Sequence, residues 1–269
     1  MKKAQKLIGT LAIMSIMAVL LVAGCKKDDI PLRETSYALK VDDVLGVSGN
    51  VTFTEFDNGN TAIDIILDNA PSGTYTASLC ANSAVEGGAV IAALNPVGKT
   101  GESSTFVSVM SYSQLISYDG HIKVLQSTSP EVILAIGDIG GNEITATNKT
   151  YTLNNIEPYG VSGSALFEKR VNGNTLVTIS LTGTISGASY PATINMGSVA
   201  SVGGGPIMKS LNNVDGTSGK GYTNILKLDS DISITYDNWL VYVGYINIYQ
   251  SSANIENIIS QGDIGSNIE

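Results

Sequence analysis

One histidine, His121, is all that this chain of 269 residues contains, and imidazole chemistry is restricted accordingly. A serine, histidine and acid triad is excluded, because His121 lies away from any nucleophile-elbow sequence and no second histidine could serve as the base. An imidazole-rich copper or zinc centre is excluded on the same count, since hydroxyls and amides are poor substitutes for nitrogen ligands. Cysteine is nearly as scarce, with Cys25 and Cys80 alone, and 15 basic residues face 24 acidic ones. With no basic stripe to neutralise phosphates, nucleic acid is excluded as a partner. The glycine-rich "VGGGP" at 202–206 has no lysine and no following helix, so it reads as a turn and not a phosphate loop. Asp229 and Asp231, read as sharing one strand face, and Asp57 with Asn58 at a turn, lack the ligand run of a calcium loop.

What is abundant is glycine, 29 residues, together with 12 tyrosines and many β-branched and hydroxyl side chains, the balance of a β-rich globular protein. The chain opens with "MKKAQKLIGTLAIMSIMAVLLVAGC", a basic head, an apolar run from Leu7 to Val22 and a small-residue end. That is the pattern of a secretory signal peptide, too short and too clearly punctuated for a spanning helix. The tetrad "VAGC" is similar to the lipobox of bacterial lipoproteins, which implies cleavage after Gly24 and lipidation of Cys25. Several acyl chains, each methylene worth about 0.8 kcal/mol, hold a protein firmly on a membrane. "KKDD" at 26–29 resembles the lysine-then-acidic tetrad that directs lipoproteins outward in one group of Gram-negative bacteria. The expected location is the outer membrane, with the cell surface first and the periplasmic face second. Three of the basic residues fall in the leader, so the mature chain carries twice as many acidic as basic side chains. Cys80 is then left without a disulfide partner and reads as a small buried side chain in a strand.

Self-comparison divides the remainder into two copies of one unit. "YALKVDDVLGVSGNVTF" from Tyr37 aligns without a gap with "YTLNNIEPYGVSGSALF" from Tyr151, and "NGNTAIDIIL" at 58–67 with "NGNTLVTISL" at 172–181. "SGTYTASLC" answers "SGASYPATIN", "LNPV" answers "LNNV", "DGHIKVLQS" answers "VGYINIYQS", and "GDIGGN" at 137–142 answers "GDIGSN" at 262–267. The expected division is a signal peptide at 1–24, the lipidated cysteine and a solvated tether at 25–36, a first repeat at 37–142, a polar linker at 143–150 and a second repeat at 151–269. Alternation such as Val177, Ile179 and Leu181 on one face, with Ile63, Ile65 and Leu67 as counterparts, gives seven or eight short strands per copy. Asn-Gly at 58–59 and 172–173 is strong hairpin chemistry. No amphipathic helix is evident, and an antiparallel β-sandwich or flattened barrel follows. The repeated hexamer closes each copy, with glycines at a tight backbone approach and Asp138 and Asp263 capping local amides.

The order of "GVSG", "NGNT", "SGASYPATIN", "LNNV", "VGYINIYQS" and "QGDIGSN" resembles the CHRD domain, the chordin-type repeat found in many bacterial secreted proteins and lipoproteins. The resemblance covers nearly all of 37–267. It implies an all-β chain of two tandem antiparallel Greek-key β-sandwich domains like that of superoxide dismutase. The lipid anchor, the duplication and the lack of a catalytic constellation point to a non-enzymatic binding or envelope module without a cofactor. The family's histidine pattern falls here on Tyr75, Ser78 and Cys80 and on Tyr190, Thr193 and Asn195, and its late histidine on Leu125 and Tyr249. A degenerate metal-binding protein is the alternative reading. His121 reads as a sheet-surface or rim residue. The aromatic crowd of Tyr236, Trp239, Tyr242, Tyr245 and Tyr249 is the candidate contact surface for an extracellular protein or glycan if exposed, and a wall of the core if buried.

Overall fold

The computed structural model describes residues 30–41, 46–126 and 129–268. The leader and the lipidation expected at Cys25 lie outside them. Eight strands form the first domain: β1 (Pro31–Val41), β2 (Ser48–Phe56), β3 (Thr61–Asp68), β4 (Tyr75–Ala81), β5 (Val90–Val97), β6 (Glu102–Val107), β7 (Gly120–Gln126) and β8 (Ser129–Ile139). Eight more form the second: β9 (Ile144–Asn155), β10 (Ser162–Arg170), β11 (Thr175–Thr182), β12 (Ser189–Met196), β13 (Ile207–Asp215), β14 (Lys220–Ile225), β15 (Val243–Tyr249) and β16 (Ile258–Gly265). All pairings are antiparallel, and β9 to β16 repeat the neighbours of β1 to β8, with the β13–β14 pairing in addition.

Hydrogen bonding runs β5-β4-β7-β8-β1-β2-β3-β6 in the first domain and β10-β11-β14-β13-β12-β15-β16-β9 in a closed barrel in the second. Each is a Greek-key arrangement, two four-stranded layers joined by long crossings. The layers are strongly laddered inside and thinly joined at the seams. Among the described residues only Lys40 with Ile136 and Val41 with Ala135 join β1 to β8, and only Asp215 with Lys220 joins β13 to β14. At the β5–β6 seam, side chains do the joining. Asn95 receives there a role visible only in three dimensions: its N–H donates to Thr105 Oγ1 (2.8 Å) and its amide to the Ser104 carbonyl (2.7 Å). Asn212, its counterpart in "LNNV", makes the same two bonds to Thr223 and Tyr222.

The cores sit between the layers. Ile63 and Ile65 pack with Phe53, Leu79 and Ile122 in the first domain, while Val177 and Ile179 pack with Phe167, Ile194 and Ile246 in the second. The repeated tyrosines belong to these cores: Tyr37 meets Phe53 edge-on at 5.5 Å, and Tyr151 meets Phe167 at 5.1 Å. Such edge contacts add about 1 kcal/mol to the burial itself.

Two expectations from sequence need correction. Residues 31–36 are not a tether but the first half of β1, paired from Pro31 opposite Phe56 to Ser36 opposite Thr52. Residues 144–150 are not a linker but the first half of β9, laddered to β10. Both stretches expose most of their side chains, so main-chain bonding holds them and apolar alternation never arises. The second repeat therefore begins directly after the first. Each domain also carries a single turn of helix, α1 (Tyr112–Leu115) and α2 (Tyr236–Leu240), opened by a capping box, Ser111 with Gln114 and Thr235 with Asn238.

The repeated hexamer has the same set of contacts in both domains. A Cβ on Gly137 would run into the carbonyl of Ala38 on β1, and one on Gly262 into that of Thr152 on β9. Gly140 and Gly265 have φ of +57° and +62°, against the carbonyls of Tyr118 and Tyr242. Ile139 and Ile264 enter the cores. The amides of Asn142 and Asn267 donate to the carbonyls of Gly120 (3.3 Å) and Gly244 (2.9 Å). Gly137→Ala or Gly262→Ala should each cost about 2 kcal/mol and lower the midpoint of thermal unfolding by about 5 °C. A Cβ on Gly98 would meet no atom nearer than 3.7 Å, so Gly98→Ala should shift the midpoint by no more than about 1 °C. Equal midpoints for all three variants, read by circular dichroism, would contradict the close approach.

Candidate functional site

The outward face of β4 and β7, away from the core, carries Ser78, Cys80, His121, Lys123 and Leu125; the same face of β12 and β15 carries Thr193, Asn195, Tyr245, Asn247 and Tyr249. A sheet face pointing away from the core is ordinarily wet. Here most of it is buried, because the loop after β4, and its counterpart after β12, folds across it. The repeated aspartates hold these loops down. Asp138 Oδ1 accepts the N–H of Ala84 (2.7 Å), and Asp263 Oδ1 accepts that of Val199 (2.9 Å). These amides are distant in sequence, not the local ones expected from the hexamer alone.

Under the first loop lie Cys80, 0% exposed, and His121, 1% exposed. His121 is thus no surface or rim residue: its Nδ1 donates to the Asn82 carbonyl at 2.9 Å, within the very loop that covers it. Cys80 stands opposite His121 in the ladder and touches Ser78 Oγ at 3.5 Å. Burial alone would push the Cys80 thiol up, but His121 and Ser78 outweigh it and leave the thiol below its ordinary value. Burial would likewise lower His121, yet Cys80, the Asn82 carbonyl and Asp138 together raise it. The result is a coupled thiol and imidazole sealed from solvent, without a face for an incoming substrate.

Under the second loop the positions are filled by hydroxyls and amides engaged with one another. Thr193 donates to Asn195 Oδ1 (2.6 Å), which leaves Tyr249 to donate to Thr193 Oγ1 (3.1 Å). Asn195 donates to the Gly205 carbonyl (2.9 Å), and the Gly205 N–H donates to the Tyr245 hydroxyl (2.8 Å). "VGGGP" is therefore the lid of this network. Tyr75 and Tyr190 point the other way, into the cores, so the three positions of the histidine pattern do not converge in either domain. Among the described residues no three His, Cys, Asp or Glu side chains form a metal-holding group. Asp229 and Asp231 lie in a turn and not on a strand face, each beside its own lysine, Lys209 (3.0 Å) and Lys227 (3.7 Å).

The late aromatic residues do not make one open surface. Tyr236 and Trp239 project from α2 into the core, Tyr242 packs half-buried against Trp239 at 4.9 Å, and Tyr245 and Tyr249 belong to the covered network. The one-turn helix separates them onto opposite sides of the sheet. Tyr112 and Tyr118 occupy the corresponding places around α1 in the first domain.

One charged contact escaped sequence reading altogether. Arg170, at the end of β10, is 0% exposed. Its Nη1 donates to Asp138 Oδ2 (3.2 Å) and to the Asn142 carbonyl, so the hexamer of the first domain receives the β10–β11 hairpin of the second. Val171 N–H to the Glu143 carbonyl (2.9 Å), Asn172 N–H to the Gly141 carbonyl (3.1 Å) and the Asn172 amide to Asp119 Oδ1 (2.7 Å) complete the joint. Phe56 stands at the place of Arg170 in the first domain.

No family model, curated protein or solved structure matches the chain.

Arg170 Nε and Nη2 make no hydrogen bond among the described residues, so the buried guanidinium is costly and its single carboxylate partner matters. Arg170→Ala should destabilise the chain by about 3 kcal/mol in urea unfolding, and Arg170→Met combined with Asp138→Asn should recover most of that. Asparagine keeps the Oδ1 that caps Ala84. A neutral Arg170→Ala variant would remove the joint from the account.

Proposed function

We propose that this chain is a lipid-anchored envelope protein, held in the outer membrane through Cys25 and exposed at the cell surface, whose two CHRD-like domains act as a non-enzymatic binding or structural module. The sequence supports the anchor, through the leader that ends in "VAGC" and the charged "KKDD" after it. The observation that carries the module reading is the covered network of Thr193, Asn195, Tyr245 and Tyr249. Thr193, Asn195 and Tyr249 stand where the resembled family places histidines, and together with Tyr245 they hydrogen-bond to one another and to the lid. A group already satisfied in this way gains little by exchanging its partner for a ligand. The Cys80 and His121 pair favours the second reading, a degenerate metal protein, because sulfur and imidazole suit copper and zinc.

Metal content decides between them, and two experiments in cells test the anchor and the exposure. Protein purified without a tag from Lys26 onward should contain less than about 0.1 equivalent of copper, zinc or calcium; a stoichiometric metal lost on Cys80→Ser would establish the second reading instead. In cells, Cys25→Ala should release the protein from the membrane fraction or leave the precursor unprocessed, and external protease should digest the wild-type protein on intact cells. Unchanged membrane association of the variant would overturn the anchor.

A further inference from the structure

The acceptor surface by which the first domain receives Arg170 exists a second time, at the far end of the chain, where no described residue covers it. In the first domain the surface consists of Asp138 Oδ2 and the carbonyls of Gly141, Asn142 and Glu143, all filled by one hairpin. Their counterparts are Asp263 Oδ2 and the carbonyls of Ser266, Asn267 and Ile268. Asp263 Oδ1 is used as Asp138 Oδ1 is, to hold the loop amide. Its Oδ2 and the three carbonyls accept nothing from the described residues. In place of the hairpin there is a recess of about 570 Å³ lined by Thr152, Val199, Gln261, Asp263, Asn267 and Ile268.

We propose that this recess is a receptor for an arginine-bearing β-hairpin of another protein, docked as the 168–174 hairpin docks on Asp138. The inference rests on the binding-module reading and supplies its partner class. The chemistry follows from the occupied copy. A guanidinium answers the carboxylate and the adjacent carbonyl together, and the hairpin N–H groups answer the remaining carbonyls. A second copy of this chain is the wrong occupant. Head-to-tail stacking would offer the β2–β3 hairpin, where Glu55, Phe56 and Asp57 replace Lys169, Arg170 and Val171. Glu55 is already paired with Arg33 (2.6 Å), Phe56 supplies no guanidinium, and Asp57 brings acid toward Asp263. The 168–174 hairpin itself is committed within its own chain. Heterologous contacts of this kind otherwise propagate into filaments, and the loss of the arginine at Phe56 with acid at Asp57 disfavours that course.

The test uses the two-domain chain and a cyclised hairpin peptide with the sequence of residues 165–178. Calorimetry should show saturable one-to-one binding that weakens at least tenfold when the peptide arginine becomes alanine, and by a similar factor with Asp263→Asn in the protein. The asparagine introduced there retains the Oδ1 that caps Val199, so the fold is preserved, and the peptide variant tests the idea without altering the protein. Absence of saturable binding at millimolar peptide, or binding indifferent to Asp263→Asn, overturns the proposal. Concentration-dependent self-association in sedimentation, abolished by Asp263→Asn, would overturn it in favour of a second copy. Membrane fractionation and metal content report on the anchor and the module separately, so failure here leaves those readings standing or falling on their own.

Discussion

Each domain depends on one close approach of two backbones, β8 against β1 and β16 against β9, possible only where Gly137 and Gly262 omit a side chain. That approach closes the thin side of the flattened barrel and fixes the position of the four residues that follow. Once fixed, the aspartate reaches the loop amide, the isoleucine enters the core and the asparagine ties the start of the neighbouring strand. A hexamer with this many simultaneous obligations is hard to vary, which is a physical reason for its appearance twice. Asp138 and Asp263 are best understood as the clasps of two lids.

The lids explain the least ordinary feature of the fold, a polar sheet face that is dry. Burying hydroxyls and amides away from water costs free energy unless they find partners, and Thr193, Asn195, Tyr245 and Tyr249 of the second domain find these within one network. The first domain instead buries a thiol and the only imidazole, each altering the other's titration. Two copies of one framework have therefore filled the same covered face with different chemistry, while the cores and the clasps stayed alike.

The duplication, the all-β character and the core strands were legible in the sequence because they rest on short-range signals: alternation at Val177, Ile179 and Leu181, Asn-Gly turns, and the hexamer itself. Other features rest on what folds over a residue and not on its neighbours in sequence. His121 lies on an outward face by periodicity, and only the loop carrying Asn82 and Ala84 makes it buried. Tyr236 and Trp239 looked continuous with Tyr245 and Tyr249, but the capping box at Thr235 turns a short helix between them; "TYDN" was the available signal. The polar starts of β1 and β9 carry no alternation because main-chain bonding alone holds them. Nothing near Arg170 announces its role, since its partner, Asp138, belongs to the other domain.

The closing hexamer of the first domain is also the dock for the second, and this joint makes the two repeats one body. Amide hydrogen exchange at Asn172 tests this most directly, because its N–H at a hairpin tip is bonded to the Gly141 carbonyl of the hexamer. Protection there within tenfold of that of core amides such as Ile179 is the predicted result. Exchange at the rate of an open loop, with Ile179 still protected, would contradict it.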